Sequence, residues 1–159
     1  MTEQVPRAVA RFLERARAAG LDPLVRTFPD GTRTAADAAA AIGCGVAAIV
    51  KSLVFVADDR PVLALTSGAN RADEAALARV LGASQLRKAD ADEVRAATGY
   101  AIGGTPPVGH DTDLPVVCDR DLTDLDEVWA AAGTPTTVFP LTPAQLVSVT
   151  GARVAAFGA

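Results

Sequence analysis

Apolar residues recur along this chain with two different periods, which separate helical segments from strands. Between residues 5 and 19 they return every three or four positions, and Gly20 stands where a helix usually ends. Thr34 and Asp90 are typical N-cap residues, and Asp90 with Glu93 forms a capping box. The pattern predicts helices over residues 5–19, 34–42, from about 70 to 81, from 90 onward, and from 142 through 149.

A long apolar and β-branched run at residues 47–57 is the strongest strand signal. Asp58-Asp59-Arg60-Pro61 follows as a turn, and residues 62–66 continue in the same style, so a β-hairpin of core strands is predicted. Helices and strands are mixed, which favours an α/β or α+β fold around a mixed sheet. Shorter strands are predicted at residues 24–28, 85–89, 114–119, 127–131, 136–139 and 153–157, with a turn at 29–31.

Length and composition restrict the class of protein. A chain of 159 residues is expected to form one domain, residues 1–159, around one core. Half of the residues are apolar and 21% are charged, which excludes a disordered chain, a collagen-like repeat and a small disulfide scaffold. No apolar run reaches the roughly 18 residues that cross a bilayer, and residues 1–4 do not resemble a signal peptide. We therefore expect a soluble, cytoplasmic protein with no membrane partner.

Cysteine, histidine and net charge narrow the chemistry further. Cys44 and Cys118 form no CxxC pair and the chain has one histidine, so the sequence indicates neither a metal nor a cofactor. Two reduced, mostly buried thiols are the favoured interpretation, with a disulfide left open. The net charge of −4 argues against a nucleic-acid coat protein, and we expect no DNA partner. This net charge is compatible with a local basic patch that binds one end of a nucleic acid.

Lys51 is the first candidate for chemistry because it lies in the middle of the apolar run at residues 47–57. Burial disfavours its charged form, so the ammonium must reach a wet cleft, meet an anion or titrate far below its usual pKa. Of the 15 basic side chains only two are lysines, Lys51 and Lys88. The alternative is a lysine that extends out of the sheet or protects an edge strand from aggregation.

The second candidate is a loop at residues 99–110, which we call the glycine–proline loop. Glycines let main-chain N–H groups approach a ligand, and Pro106 and Pro107 fix the path of the chain. Such preorganised N–H groups can stabilise an oxyanion without a side-chain nucleophile. The alternative is a tight connection without a ligand. His110, which ends the loop, is expected to orient it or to contact substrate. Asp119, which directly follows a predicted strand, is expected to face the site.

These features together resemble the YbaK-like family of aminoacyl-tRNA deacylases, free-standing relatives of the editing domain inserted in bacterial prolyl-tRNA synthetase. The resemblance covers about residues 21–157. It rests on Lys51-Ser52-Leu53, Gly68 with Arg71 and Asp73, Gly99-Tyr100, Gly103-x-x-x-Pro107-x-Gly109, Asp119 and Gly133.

The resemblance implies a curled, barrel-like mixed β-sheet surrounded by helices, and hydrolysis of the ester that joins a wrong amino acid to the 3′ end of a tRNA. It makes Lys51 the catalytic side chain. The implied substrate is proline tRNA carrying alanine, cysteine, serine or threonine, and prolyl-tRNA synthetase is a candidate partner. The expected substrate-binding residues are Ser52, Gly103, Gly104, Thr105, Pro106, Pro107, Gly109, His110 and Asp119.

Two interpretations of the tRNA contact stay open. Basic residues flank the predicted middle helices and are expected either to touch the acceptor stem or to form a solvated face; they are Arg71, Arg79, Arg87, Lys88 and Arg95. The alternative to an enzyme is a non-catalytic module that binds an aminoacyl or nucleotide end, or serves as a partner domain.

Overall fold

Helices and strands alternate irregularly along the chain. The computed structural model describes residues 5–28 and 34–159, so the turn predicted at residues 29–31 and the first four residues lie outside the described part. The described elements are α1 (Arg7–Ala18), β1 (Arg26–Thr27), α2 (Ala35–Ile42), β2 (Ile49–Ala57), β3 (Arg60–Ser67), α3 (Glu74–Leu81), β4 (Leu86–Lys88), α4 (Ala91–Thr98), β5 (Val116–Asp119), α5 (Arg120–Thr123), β6 (Val128–Ala131), β7 (Thr137–Leu141), α6 (Pro143–Thr150) and β8 (Arg153–Ala155).

One mixed sheet contains all of these strands, in the order β1–β7–β6–β2–β3–β5–β8, with β4 also paired to β2. β3 lies antiparallel to β2 along its length, which is the predicted hairpin. On its other edge, β2 pairs with β6 at Ile49 and Val50 and with β4 at residues 55–57. Within the described residues no strand therefore covers residues 51–53 on that edge. The predicted mixed α/β class is confirmed, and the sheet has a gap beside Lys51.

Both faces of the sheet are apolar, as the nearly continuous apolar run in β2 predicts. On one face Val50 and Val54 pack with Leu63 and Leu65 of β3. On the other face Phe55 packs in a separate cluster of buried apolar side chains. Because side chains alternate along a strand, Ser52 shares the face of Val50 and Val54. Ser52 is thus a polar residue placed within an apolar surface.

Local capping chemistry sets several helix ends as predicted. Thr34 caps α2, and capping boxes form at Asp90 with Glu93 and at Thr142 with Gln145. Apart from α3, each predicted helix starts within two residues of the start found in the structure. No helix within residues 5–28 and 34–159 has the length and apolar character needed to cross a membrane.

Two predicted segments differ from the structure. α3 begins at Glu74 with Asp73 as its N-cap, not near Asn70, because the Asn70 side chain binds Asp119 and Asp121 instead of opening a helix. The segment after β5, for which no helix was predicted, contains the short helix α5 with Asp119 as its N-cap.

Candidate active site

A cavity of about 440 Å³ opens at the gap on the edge of β2. β6 and β4 form its sides, since Trp129 and Ala130 line it from one strand and Lys88 from the other. Four of the predicted site residues line it: Lys51 and Ser52 from β2, and Gly103 and Thr105 from the glycine–proline loop. The structure therefore brings the lysine of the apolar strand and the loop to one place.

Lys51 is half-buried at this cavity, and its ammonium donates a hydrogen bond to the Asn70 carbonyl. Burial lowers the pKa of Lys51, and the positive charges of Lys88 and Arg71 lower it further, while Asp119 opposes them. An anion or a developing negative charge at the cavity would relieve this repulsion. The environment therefore favours a negatively charged or strongly polar ligand beside Lys51.

Asp119 does not line the cavity and is connected to Lys51 through Asn70. It is buried, and its Oδ2 accepts hydrogen bonds from the Ser67 N–H at 3.1 Å and from Asn70 Nδ2 at 2.9 Å. Its Oδ1 accepts from the Asp121 N–H at 3.0 Å. These bonds hold Asn70, whose carbonyl in turn holds the Lys51 ammonium. Asp119 thus lies behind Asn70 and contacts Lys51 only through it.

The glycine–proline loop offers main-chain donors to the cavity. The N–H of Gly104 is used within the loop, donating to the Ala101 carbonyl at 3.0 Å. In the part of the chain that the structure describes, no acceptor binds the N–H of Gly103 or of Thr105, two of the three loop residues that line the cavity. Two free amides on a wall of the cavity are suited to an oxyanion.

The rest of the loop lies behind the cavity wall. Gly104, Pro106 and Pro107 are buried and, with Gly109 and His110, do not line the cavity. His110 Nε2 donates to the Pro106 carbonyl at 2.7 Å, and burial lowers the pKa of His110, which favours its neutral form. Of the two roles expected for His110, this geometry favours orientation of the loop.

Helix α1 braces the loop from outside. Arg15 Nη1 donates to the Gly109 carbonyl at 2.9 Å and pairs with Asp111 at 2.7 Å. Arg11 donates to the Gly99 carbonyl, and its guanidinium lies 4.5 Å from the centre of the Tyr100 ring. The loop is therefore fixed at both ends before any ligand binds.

No activated side-chain nucleophile is found at the cavity among the described residues. Ser52 Oγ is buried without a hydrogen-bond partner there, so no base activates it. The two cysteines are free thiols, and burial raises the pKa of Cys118 to about 12. The site can supply a cation, main-chain donors and one unpaired hydroxyl.

Several cavity residues did not stand out in the sequence. They are the exposed Ile102, the aromatic Trp129, Pro135 and the buried Val138, together with Thr34, Ala35 and Ala38 near the start of α2. Ordinary core and turn residues carry no local signal of a site. Lys88, which also lines the cavity, did stand out, because lysine is rare in this chain.

Comparison with known proteins agrees with this site. Residues 29–149 match the family model of the aminoacyl-tRNA editing domain, and the chain belongs to this family. A solved structure of a proposed trans-editing enzyme for prolyl tRNA synthetase is 44% identical, with a TM-score of 0.93, and the match covers 98% of this chain and 99% of that one. The hypothetical protein APE2540 is 31% identical with a TM-score of 0.85, over 94% of this chain and 99% of that chain.

Curated relatives include much longer enzymes. The proline–tRNA ligase of Streptococcus equi subsp. equi is 30% identical over 125 residues, which is 79% of this chain and 20% of the ligase. That of Lactobacillus helveticus is 36% identical over 85 residues, 54% of this chain and 15% of the ligase. The chain thus spans about a fifth or less of the ligases that it matches.

Proposed function

We propose that the protein is an aminoacyl-tRNA deacylase that acts in trans, releasing a small, wrongly attached amino acid from the 3′ end of a tRNA. The observation that carries this proposal is the meeting of the half-buried Lys51 with the free amides of Gly103 and Thr105 at one cavity. Membership of the editing-domain family supports it.

The reaction needs no covalent enzyme intermediate. A water molecule adds to the ester carbonyl carbon, the carbonyl oxygen becomes an oxyanion, and the bond to the ribose oxygen then breaks. One proton of the water goes to the ribose oxygen, so the tRNA leaves with a free hydroxyl, and the other goes to solvent as the amino acid leaves as a carboxylate. In this proposal the Gly103 and Thr105 amides bind the oxyanion, and the Lys51 ammonium stabilises negative charge beside it. A ribose hydroxyl of the tRNA assists the attacking water.

The walls of the cavity suit a small side chain. They are mostly apolar, and Ser52 adds one buried hydroxyl that has no hydrogen-bond partner among the described residues. We therefore propose serine, threonine, cysteine and alanine as substrates, with proline tRNA as the first tRNA to test. Discrimination would follow the second-sieve principle, in which a pocket hydrolyses what the synthetase could not reject by binding.

The remaining parts of the functional prediction are partners and place. Contact with the 3′ acceptor end, prolyl-tRNA synthetase as a candidate partner, and location in the cytoplasm stay predictions. So does the single-domain organisation over residues 1–159.

A panel of mischarged tRNAs tests the proposal directly. We expect wild-type protein to release at least one small amino acid, and Lys51→Ala to lower the rate at least about tenfold, equivalent to about 1.4 kcal/mol of barrier. Arg17→Ala is the control, because Arg17 is exposed on α1, does not line the cavity and is not among the candidate contacts of the acceptor stem. Saturable binding without hydrolysis across the panel would instead indicate a binding module, and unchanged turnover in Lys51→Ala would remove Lys51 from the mechanism.

A further inference from the structure

Both lysines of this chain line the same cavity. Lys51 belongs to β2 and Lys88 to β4, and every other basic side chain apart from the histidine is an arginine. The two residues are 37 positions apart in sequence, so only the fold brings them together. The structure thus shows a second cation at the candidate active site.

The two lysines take different positions in the cavity. Lys51 is half-buried, whereas Lys88 is exposed at the end of β4. Lys88 lies directly across from Phe55, four residues along β2 from Lys51. Four residues of strand span about 13 Å, and two flexible four-carbon side chains can close much of that distance. Lys51 is therefore the inner cation and Lys88 the rim cation.

Among the described residues, no carboxylate forms an ion pair with either lysine at this cavity. The ion pairs within residues 5–28 and 34–159 are Arg15–Asp111 and Arg87–Glu93, and neither includes Lys88. Asp119 is buried and already accepts hydrogen bonds from Ser67, Asn70 and Asp121. Two like charges that face one cavity without a carboxylate between them favour an anionic ligand.

We propose that Lys88 binds the phosphodiester group of the tRNA's terminal nucleotide, at the rim of the cavity. This inference rests on the proposed function, because the acyl-bearing ribose must then lie deeper, beside Lys51 and the loop amides. The phosphate is the permanent anion of that substrate, and the flexible, exposed ammonium of Lys88 meets it as a point charge. Lys51 is left free to act near the ester.

A binding experiment with matched variants tests this assignment. Lys88→Gln and Arg87→Gln remove the same charge from adjacent residues, but Arg87 pairs with Glu93 at 2.7 Å and does not line the cavity. The probe is a fluorescein-labelled four-nucleotide RNA that ends in cytidine–cytidine–adenosine, measured by anisotropy. For Lys88→Gln we expect about tenfold weaker binding, and a slope of log binding constant against log salt concentration that is smaller by about 0.7. For Arg87→Gln we expect little change, and for Lys88→Arg wild-type binding. Equal losses in both glutamine variants would overturn the proposal.

Hydrolysis with two substrates locates the contact. For mischarged tRNA we expect Lys88→Gln to raise KM about tenfold with kcat unchanged. For 3′-O-aminoacyl-adenosine, which has no phosphate, we expect no change. An equal loss on both substrates would place Lys88 at the acyl group and overturn the phosphate assignment. If wild-type protein hydrolysed neither substrate, the proposed function would fail, and the anisotropy measurement would still decide the role of Lys88.

Discussion

Gly104 is a loop position where the structure predicts a large effect of a single methyl group. A Cβ atom built on Gly104 would lie 2.8 Å from Thr134 Cα and 3.0 Å from the Gly133 carbonyl oxygen. Both are backbone atoms, so no side chain can move aside to make room. The Gly104 carbonyl also accepts a hydrogen bond from the Gly133 N–H at 3.0 Å. Gly104→Ala must therefore push the loop away from the turn before β7.

The size of the effect follows from these contacts. Overpacking of a tight contact costs about 1–3 kcal/mol, and a weakened hydrogen bond adds about 1 kcal/mol. The sum of about 2–4 kcal/mol corresponds to a fall in Tm of roughly 4–16 °C for a chain of this size. Displacing the neighbouring amides of Gly103 and Thr105 by part of an ångström would also weaken oxyanion binding. We expect kcat for deacylation to fall by at least about tenfold, measured well below the new Tm.

Gly45→Ala is the matched control. Gly45 has φ −72°, and nothing lies within 4 Å of a Cβ built there. Alanine at such a position leaves stability unchanged or raises it by about 0.4–1 kcal/mol. We expect Gly45→Ala to keep wild-type kcat. A folded Gly104→Ala protein with wild-type kcat and Tm would refute the reasoning, because the contact between the loop and the turn would then not determine the site geometry.

Two further predictions concern Lys51 and the brace of the loop. Because burial and neighbouring cations lower the pKa of Lys51, we expect kcat/KM, corrected for spontaneous ester hydrolysis, to fall with rising pH below the usual lysine pKa of about 10.4. Lys51→Arg should move this fall to higher pH, and an unmoved profile would assign the titration to another group. Arg15→Met removes the bond to the Gly109 carbonyl and the ion pair with Asp111, which is partly exposed and contributes only about 0–1 kcal/mol to stability. For Arg15→Met we expect kcat to fall several-fold while KM and Tm stay nearly unchanged, and for Arg15→Lys we expect part of the lost kcat to return. Wild-type kcat in Arg15→Met would contradict the claim that Arg15 holds the loop in its active geometry.

Local chemistry made much of the fold predictable. Capping residues, the apolar run of β2 and its turn act over a few residues, so helices such as α2 and α4 begin where the sequence predicts. The predicted start of α3 was wrong because the side chain of Asn70 is held by Asp119, 49 residues away. A competing contact of that range leaves no trace in the local pattern.

The candidate site was predictable only where a residue conflicts with its surroundings. Lys51 stands out in an apolar strand, and the glycine–proline loop stands out by composition. The gap that creates the cavity cannot be read from sequence, because it depends on where β6 and β4 stop pairing with β2. The place of Lys88 at the rim depends on the same registers. His110 attracted attention as the single histidine, yet it does not line the cavity and donates a hydrogen bond to the Pro106 carbonyl.

The proposed catalytic groups on the loop are main-chain amides. The substitutions that lower activity should therefore lie where the loop is held in place. Removing a side chain cannot delete an amide, so activity is lost only when the loop moves. The loop is held by α1, through Arg11 and Arg15, and by the turn before β7 through Gly133. α1 precedes residues 29–149, the part that matches the family model. Substitutions in a helix outside that region should therefore reduce catalysis more than truncation of the exposed Ile102 on the loop itself.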